Sequence, residues 1–378
     1  MNNINSKYDE NTFSLLKDYL NSLALAFGIP EYECSAYHEH EQIFRFRVGC
    51  NEHSTQNLYY VYSATKPITC TAVMQLVERG LLQLSDCLDE YIPAFSNMQV
   101  KTDTGLVKAE SKITVEQLLA MTAGFSYDLK APCICEAVAK TPQADTATIV
   151  NALATAPLDF HPGTHFQYSL CHDILAVVVE VITGLRFGEY VRKNIFEPLG
   201  IKDAYYIVSE DIKERIKRQY RYVQLPNNHI EIARENDFVF TPQYESAGAG
   251  LLCSVDDYIL FADAIACGGV GKNGNRIIRP ETIDKMKENK MFGVLQEDFD
   301  LQGWQGYGYG LGMRTLIDDR YSEGPLGEFG WAGTAGSYVL MDTENKLSLF
   351  YAQHIRDSAP LQHLIHPRLR DIFYKCLK

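Results

Sequence analysis

Ser63 and Lys66 stand three residues apart in Ser63-Ala-Thr-Lys66, a spacing that brings a hydroxyl and an amine onto one face of a helix. A serine hydroxyl is a poor nucleophile until a neighbour takes its proton, and a lysine beside it can do so or can tune another base. A helix N-terminus adds backbone N–H groups suited to developing negative charge. The pair therefore points to acyl transfer through a covalent serine intermediate. The same spacing recurs at Ser14-Leu-Leu-Lys17, in an amphipathic stretch that precedes any strand, so surroundings must decide between the two. A plain helix cap is the alternative role for Ser63.

Two other constellations invite chemistry. His172 and Asp173 suggest a Ser-His-Asp triad, but Ser63 is flanked by Val61-Tyr62 and Ala64-Thr65, with no glycine at either position of a G-x-S-x-G elbow. Asp173 is read instead as a capping or hydrogen-bonding residue at the start of the following helix. Cys133-Ile-Cys135, His38-Glu-His40 and Cys171-His172 hold metal-ligand residue types, yet none has a second ligand pair at zinc-site spacing. No metal site is predicted.

The elements around Ser63 change period there. Residues 32–62 interleave Tyr32, Tyr37, Ile43, Phe44, Phe46 and Val48 with polar residues, which predicts a strand pair joined by a polar turn. From Ser63 the period becomes helical through Ile68, Ala72, Met74, Leu76 and Val77 to a terminating Gly80, with Pro67 tolerated because it falls in the first turn. Helices are predicted at 115–122, 146–154, 174–183, 187–199, 255–266 and 280–290, strands at 309–315, 337–342 and 346–353, and a last helix at 361–376. Sheet near both ends with helices between predicts an α/β domain of residues 1–62 and 245–378, interrupted by a mostly helical domain of residues 63–244. Ser63 lies at their junction.

Composition removes whole classes of function. A formal charge of −13 over 378 residues, without a run of Lys and Arg, excludes a nucleic-acid partner. The longest apolar run, 174–182, contains Glu180 and is too short to span a membrane. The first twenty residues lack a basic start and an apolar core, so the cytoplasm is the expected compartment, and the ten cysteines are expected as reduced thiols.

Further motifs follow Ser63 in order. Tyr60-Val-Tyr-Ser-Ala-Thr-Lys-Pro-Ile-Thr is followed by Leu81-Leu-Gln-Leu-Ser-Asp with Tyr91-Ile-Pro, then Ile113-Thr-Val-Glu-Gln-Leu-Leu-Ala-Met-Thr-Ala-Gly-Phe. Pro162-Gly-Thr-His-Phe-Gln-Tyr-Ser, Glu245-Ser-Ala-Gly-Ala-Gly-Leu-Leu-Cys-Ser and Phe329-Gly-Trp-Ala-Gly complete the series. From about Gly28 to Gln353 the chain thereby resembles the serine β-lactamase and penicillin-binding-protein superfamily, in its class C-like branch. The resemblance implies a β-lactamase-like (transpeptidase-like) fold, an antiparallel sheet flanked by helices with an inserted α-rich domain. It implies Ser63 as nucleophile, Lys66 as its amine partner and Tyr168 as the second base, with either Lys66 as free amine or Tyr168 as phenolate taking the serine proton. The implied oxyanion donors are the backbone N–H groups of Ser63 and Thr334. No cofactor is implied.

Two departures bear on substrate. Leu170 stands where class C β-lactamases carry a substrate-contacting Asn, and Trp331-Ala-Gly333 replaces their Lys-Thr-Gly, removing a cation that recognises the substrate carboxylate. Losing such a charge-assisted hydrogen bond costs about 1.5–3 kcal/mol. Leu after Tyr-Ser and Trp before x-Gly resemble the family VIII-like carboxylesterases of the superfamily. Trp331, Leu170 and Gly333 are expected to line the substrate pocket; Tyr127 lines it or packs beside it. The leading expectation is a small-ester hydrolase acting through acyl-Ser63. The alternatives are an amide-directed member (a D-aminopeptidase, a D,D-carboxypeptidase or a weak β-lactamase), an acyltransferase, and a penicillin-binding protein without turnover.

Overall fold

The computed structural model describes residues 8, 11–49, 57–224, 228–233, 235–356 and 359–378. Helix α1 (Ser14–Phe27) buries Leu16, Leu20 and Leu23, spaced four and three apart on one stripe, and ends at Gly28 in the left-handed conformation. Strands β1 (Tyr32–His38) and β2 (Glu41–Val48) form an antiparallel hairpin. Its two turn residues, Glu39 and His40, both adopt positive φ, as a two-residue turn compatible with strand twist requires.

Among the described residues, β1 and β2 edge a seven-stranded sheet whose order is Tyr307–Tyr309, Arg314–Leu316, Phe329–Ala332, Tyr338–Asp342, Leu347–Gln353, β1, β2. Every pairing is antiparallel, and β1 lies beside Leu347–Gln353 with Tyr32 opposite Gln353. The sheet is thus closed by strands from both ends of the chain. Residues 338–342 and 347–353 are buried at every position because both faces are covered. Tyr32, Tyr338, Leu340, Leu349 and Tyr351 pack in one cluster with α1 and the Ala359–Leu377 helix. On the other face the Val255–Ala266 helix stacks Tyr258 on Phe350 at 3.9 Å.

The helical part centres on α2 (Lys66–Glu78), in which every residue from Lys66 to Leu76 is buried. It is enclosed by the Cys171–Thr183 helix and its neighbours. Three local expectations need correction. The turn at Ser63 is a 3₁₀ turn, Tyr62–Thr65, and the α-helix begins at Lys66. The strand expected at 309–315 is two antiparallel strands, reversed at Gly310-Leu-Gly-Met, where Gly312 has φ 80°. Beyond Leu199 the chain expected to continue the helical part turns to strand: Gln219–Gln224 pairs with Asn228–Ile232 and, in parallel, with Ile355–Arg356. The alternation Tyr220, Tyr222 against Gln219, Arg221 has the two-residue period of a strand.

No helix among the described residues is long and apolar enough to cross a membrane. Nine of the ten cysteines are free thiols; Cys50 lies outside the described residues.

Candidate active site

The short strand Tyr59–Tyr60 leads into Val61, whose N–H donates to Leu251 at 2.9 Å and whose carbonyl accepts from Ser337 Oγ at 2.6 Å. The next residue, Tyr62, takes φ 46°, a strained value for a bulky side chain. Its phenol donates to Gln219 at 2.5 Å, its carbonyl accepts from Thr65 Oγ1 at 2.6 Å, and its ring lies 5.7 Å from the Arg356 guanidinium. These contacts hold the bend that delivers Ser63, which is 8% exposed and so reachable from solvent.

Lys66 follows on the first turn of α2 and is fully buried. Its Nζ donates to Ser63 Oγ at 3.3 Å and to the Gly248 carbonyl at 2.8 Å, and lies 4.4 Å from the Tyr168 ring centre. Burial lowers its pKa to about 7, against the pull of the Asp173 carboxylate. The Tyr168 phenol faces Ser63 and accepts a 2.9 Å hydrogen bond from the Trp331 indole N–H. Burial pushes that phenol above its usual range, opposed by these two hydrogen bonds. Tyr168 is carried on a loop secured by Gln167 N–H to Met121 O at 2.9 Å, with Met121 at φ 59°. The structure thus brings Ser63, Lys66 and Tyr168 together.

Aromatic rings wall the site. Trp331 stacks on Tyr168 at 5.6 Å and meets Tyr309 at 5.1 Å and Trp304 at 5.7 Å. The Trp304 ring in turn lies 5.1 Å from Arg314, which is buried with Glu328. Tyr127 meets Tyr168 edge-on at 5.3 Å, contacts Phe238 at 5.7 Å and turns its hydroxyl toward Ser63. Tyr127 therefore faces Ser63 as well as packing beside it. Leu170, expected in the pocket, is buried at 3% exposure in the core at the start of the Cys171–Thr183 helix. Gly333 lies where any side chain would collide with the Val61 carbonyl, so the turn carrying Thr334 abuts the residues before Ser63. That turn is closed by Gly333 N–H to Ser337 O at 2.8 Å.

Sequence spacing did not single out Tyr244, Ser246, Gly248, Gln219 or Phe238 for the site, and gave Asp173 a capping or hydrogen-bonding role at its helix start. Asp173 is buried and accepts from Tyr244 at 2.9 Å, with Ser246 and the Gly248 N–H also donating to it. His172 points elsewhere: its Nε2 meets Cys70 Sγ at 3.2 Å, and burial keeps the ring neutral. The two residues therefore do not form a triad with Ser63. Ser14 is exposed at the start of α1, on the helix that covers the opposite face of the sheet.

The metal-type motifs also separate. His38 meets the Tyr8 hydroxyl at 3.0 Å, Cys171 meets Ser169 at 3.0 Å, and Cys135 is exposed on its helix. Among the described residues His40, Asp263 and Cys267 bring ligand atoms within 4.8 Å of one another, closed by a 2.7 Å hydrogen bond between His40 and Asp263.

A family model described as Beta-lactamase matches residues 40–371. Protein Rv1367c of Mycobacterium tuberculosis is 29% identical over 79% of this chain and 78% of its own. Esterase EstB of Burkholderia gladioli is 30% identical over 77% of this chain and 76% of its own. Among solved structures, EstCE1, described as a hydrolase with promiscuous acyltransferase activity, superposes with a TM-score of 0.80 at 18% identity, covering 97% of this chain and 99% of that one.

Proposed function

Because the chain belongs to the beta-lactamase family, we propose that it is a serine hydrolase of small esters working through an acyl-Ser63 intermediate. Lys66 as free amine takes the Ser63 proton, and the serine oxygen attacks the ester carbonyl. The N–H groups of Ser63 and Thr334 stabilise the oxyanion. Collapse expels the alkoxide, which leaves as the alcohol after taking a proton from Lys66 or through the Tyr168 hydroxyl. Water then attacks the acyl-enzyme by the same steps, returning Ser63 and releasing the acid. Side chains and backbone supply nucleophile, base and oxyanion donors, so no metal or organic cofactor enters. On this reading the site lies where the sheet-bearing part, residues 1–62 and 245–378, meets residues 63–244.

The observation that carries the ester reading is the hydrogen bond from Trp331 Nε1–H to Tyr168. Where the resembled lactamases place a lysine, this site has a neutral donor that orients the phenol but offers no charge to a substrate carboxylate. The stacked rings around it suit an apolar acyl or alcohol group. EstB, named an esterase, supports this choice. Trp331→Phe keeps the wall and removes the N–H; kcat on p-nitrophenyl butyrate is expected to fall roughly two- to tenfold, the worth of one neutral hydrogen bond.

Turnover of p-nitrophenyl acetate, p-nitrophenyl butyrate and a chromogenic cephalosporin, compared side by side, tests the reading. Fast ester cleavage with little lactam cleavage supports it. Fast lactam turnover would overturn it in favour of a lactamase, and a stable cephalosporin adduct without ester turnover would make the protein a penicillin binder. Faster release with an added alcohol, captured as a new ester, would make water the lesser acceptor and the enzyme an acyltransferase.

A further inference from the structure

We propose that Asp173 is a positioning residue for Lys66: its buried carboxylate, acting across Gly248, holds the lysine amine on Ser63. The inference rests on the reading of Lys66 as the partner of Ser63. Gly248 faces both groups at once. Its N–H donates to Asp173 while its carbonyl accepts from Lys66 Nζ at 2.8 Å. A methyl group added at Gly248 would lie 2.7 Å from Asp173 Oδ2 and 3.6 Å from Lys66 Nζ, so carboxylate and amine crowd the same side of one α-carbon. A side chain at this position would have to displace the Asp173 carboxylate.

Asp173 is itself fixed. It is 1% exposed and held by Tyr244 at 2.9 Å, by Ser246 and by Gly248. Burial pushes the Asp173 carboxyl above its usual range, opposed by the hydrogen bonds from Ser246, Tyr244 and Gly248 and by Lys66 when it is protonated. The groups facing Lys66 are Ser63, Cys70, Cys171, His172, Tyr127, Tyr168 and Asp173. Burial keeps the two thiols and two phenols protonated and the His172 ring neutral, so Asp173 supplies the negative charge. Beyond Lys66, Asp173 faces Tyr244 and Ser246 and acts at longer range on Tyr127, Tyr168 and Tyr206.

The arrangement also tunes the base. Burial alone drives the amine down and Asp173 opposes it, which leaves Lys66 at about 7, where a general base serves best at neutral pH. The carbonyl of Gly248 occupies one N–H of the free amine, which leaves its lone pair available to Ser63.

The test is the pH dependence of kcat/KM on p-nitrophenyl butyrate for wild type and Asp173→Asn, with labelling of Ser63 by an acylating probe followed by intact mass. Without the carboxylate the ammonium loses its counter-charge, so the acid limb moves to lower pH by roughly one unit while the plateau drops roughly ten- to hundredfold. In a Lys66→Ala background the same change is expected to cost nothing further. A lower plateau with an unmoved acid limb, or an equal loss without Lys66, would make Asp173 merely structural and overturn the inference. Should Asp173→Asn not fold, Gly248→Ala, which displaces the carboxylate by contact, carries the same expectation in weaker form. If wild type itself leaves Ser63 unlabelled, it is the nucleophile assignment that fails, a result separate from either limb shift.

Discussion

Ser63→Ala is expected to abolish ester turnover, lowering kcat on p-nitrophenyl butyrate by at least about 10⁴-fold, the scale seen when a serine nucleophile is removed from an enzyme whose remaining parts are intact. The fold should survive, because the substitution deletes one oxygen from a small side chain already flanked by Ala64, and the 3₁₀ turn is held by Tyr62 and Thr65. Intact mass after an acylating probe should show one adduct on wild type and none on the variant. The decisive contrary result is retained turnover in Ser63→Ala with loss in Ser14→Ala, which would transfer the chemistry to α1.

The second large effect is on pH. For Lys66 to accept the serine proton it must be the free amine, which dominates above about 7. Below that value kcat/KM should fall about tenfold per unit, since the competent fraction of enzyme falls in proportion. The sign follows from burial: desolvation disfavours the ammonium, so the limb lies far below that of an exposed lysine. Tyr168 as phenolate base would place the limb above the ordinary tyrosine value of 10.0, because its phenol is pushed upward. Lys66→Ala should remove roughly 10²–10⁴ of the rate and the neutral-pH limb with it. A limb near the tyrosine range in wild type would exchange the roles of Lys66 and Tyr168.

The fold class was legible because the hydrophobic period changes at Ser63 and because ordered motifs accompany it. The Val255–Ala266 helix matches its expected bounds since Ser254 caps it and its apolar stripe is clean. The hairpin of Gln219–Gln224 with Asn228–Ile232 escaped notice because its strands are only six and five residues long and neither carries a run of apolar residues at alternate positions that marks a half-buried strand. At the site, Ser63 and Lys66 are local in sequence and so were readable from spacing, whereas Tyr168 needed the resemblance. Asp173 was read as a capping or hydrogen-bonding residue at the start of its helix; the N-cap is Leu170, and Asp173 is the hydrogen-bonding one. Its partners, Tyr244, Ser246 and Gly248, lie some seventy residues on, and no periodicity links them to it. Leu170, expected to line the pocket, is buried at the N-cap of the Cys171–Thr183 helix, in the same apolar cluster as Trp331.

The bend at Tyr62 has a consequence for how the protein loses activity on heating. A bulky residue at φ 46° is held there in part by a hydrogen bond to Gln219, at the root of a hairpin that pairs with Ile355–Arg356 and whose Tyr222 phenol donates to the Phe27 carbonyl at 2.8 Å. Such a ribbon, with Val223 and Ile230 exposed, belongs to the regions that open locally at a lower free energy than the core sheet. If it lifts first, Tyr62 loses one of the contacts that hold its bend, so ester turnover is expected to fall at a lower temperature than the core sheet melts, an order that activity and circular dichroism followed over one temperature ramp would check.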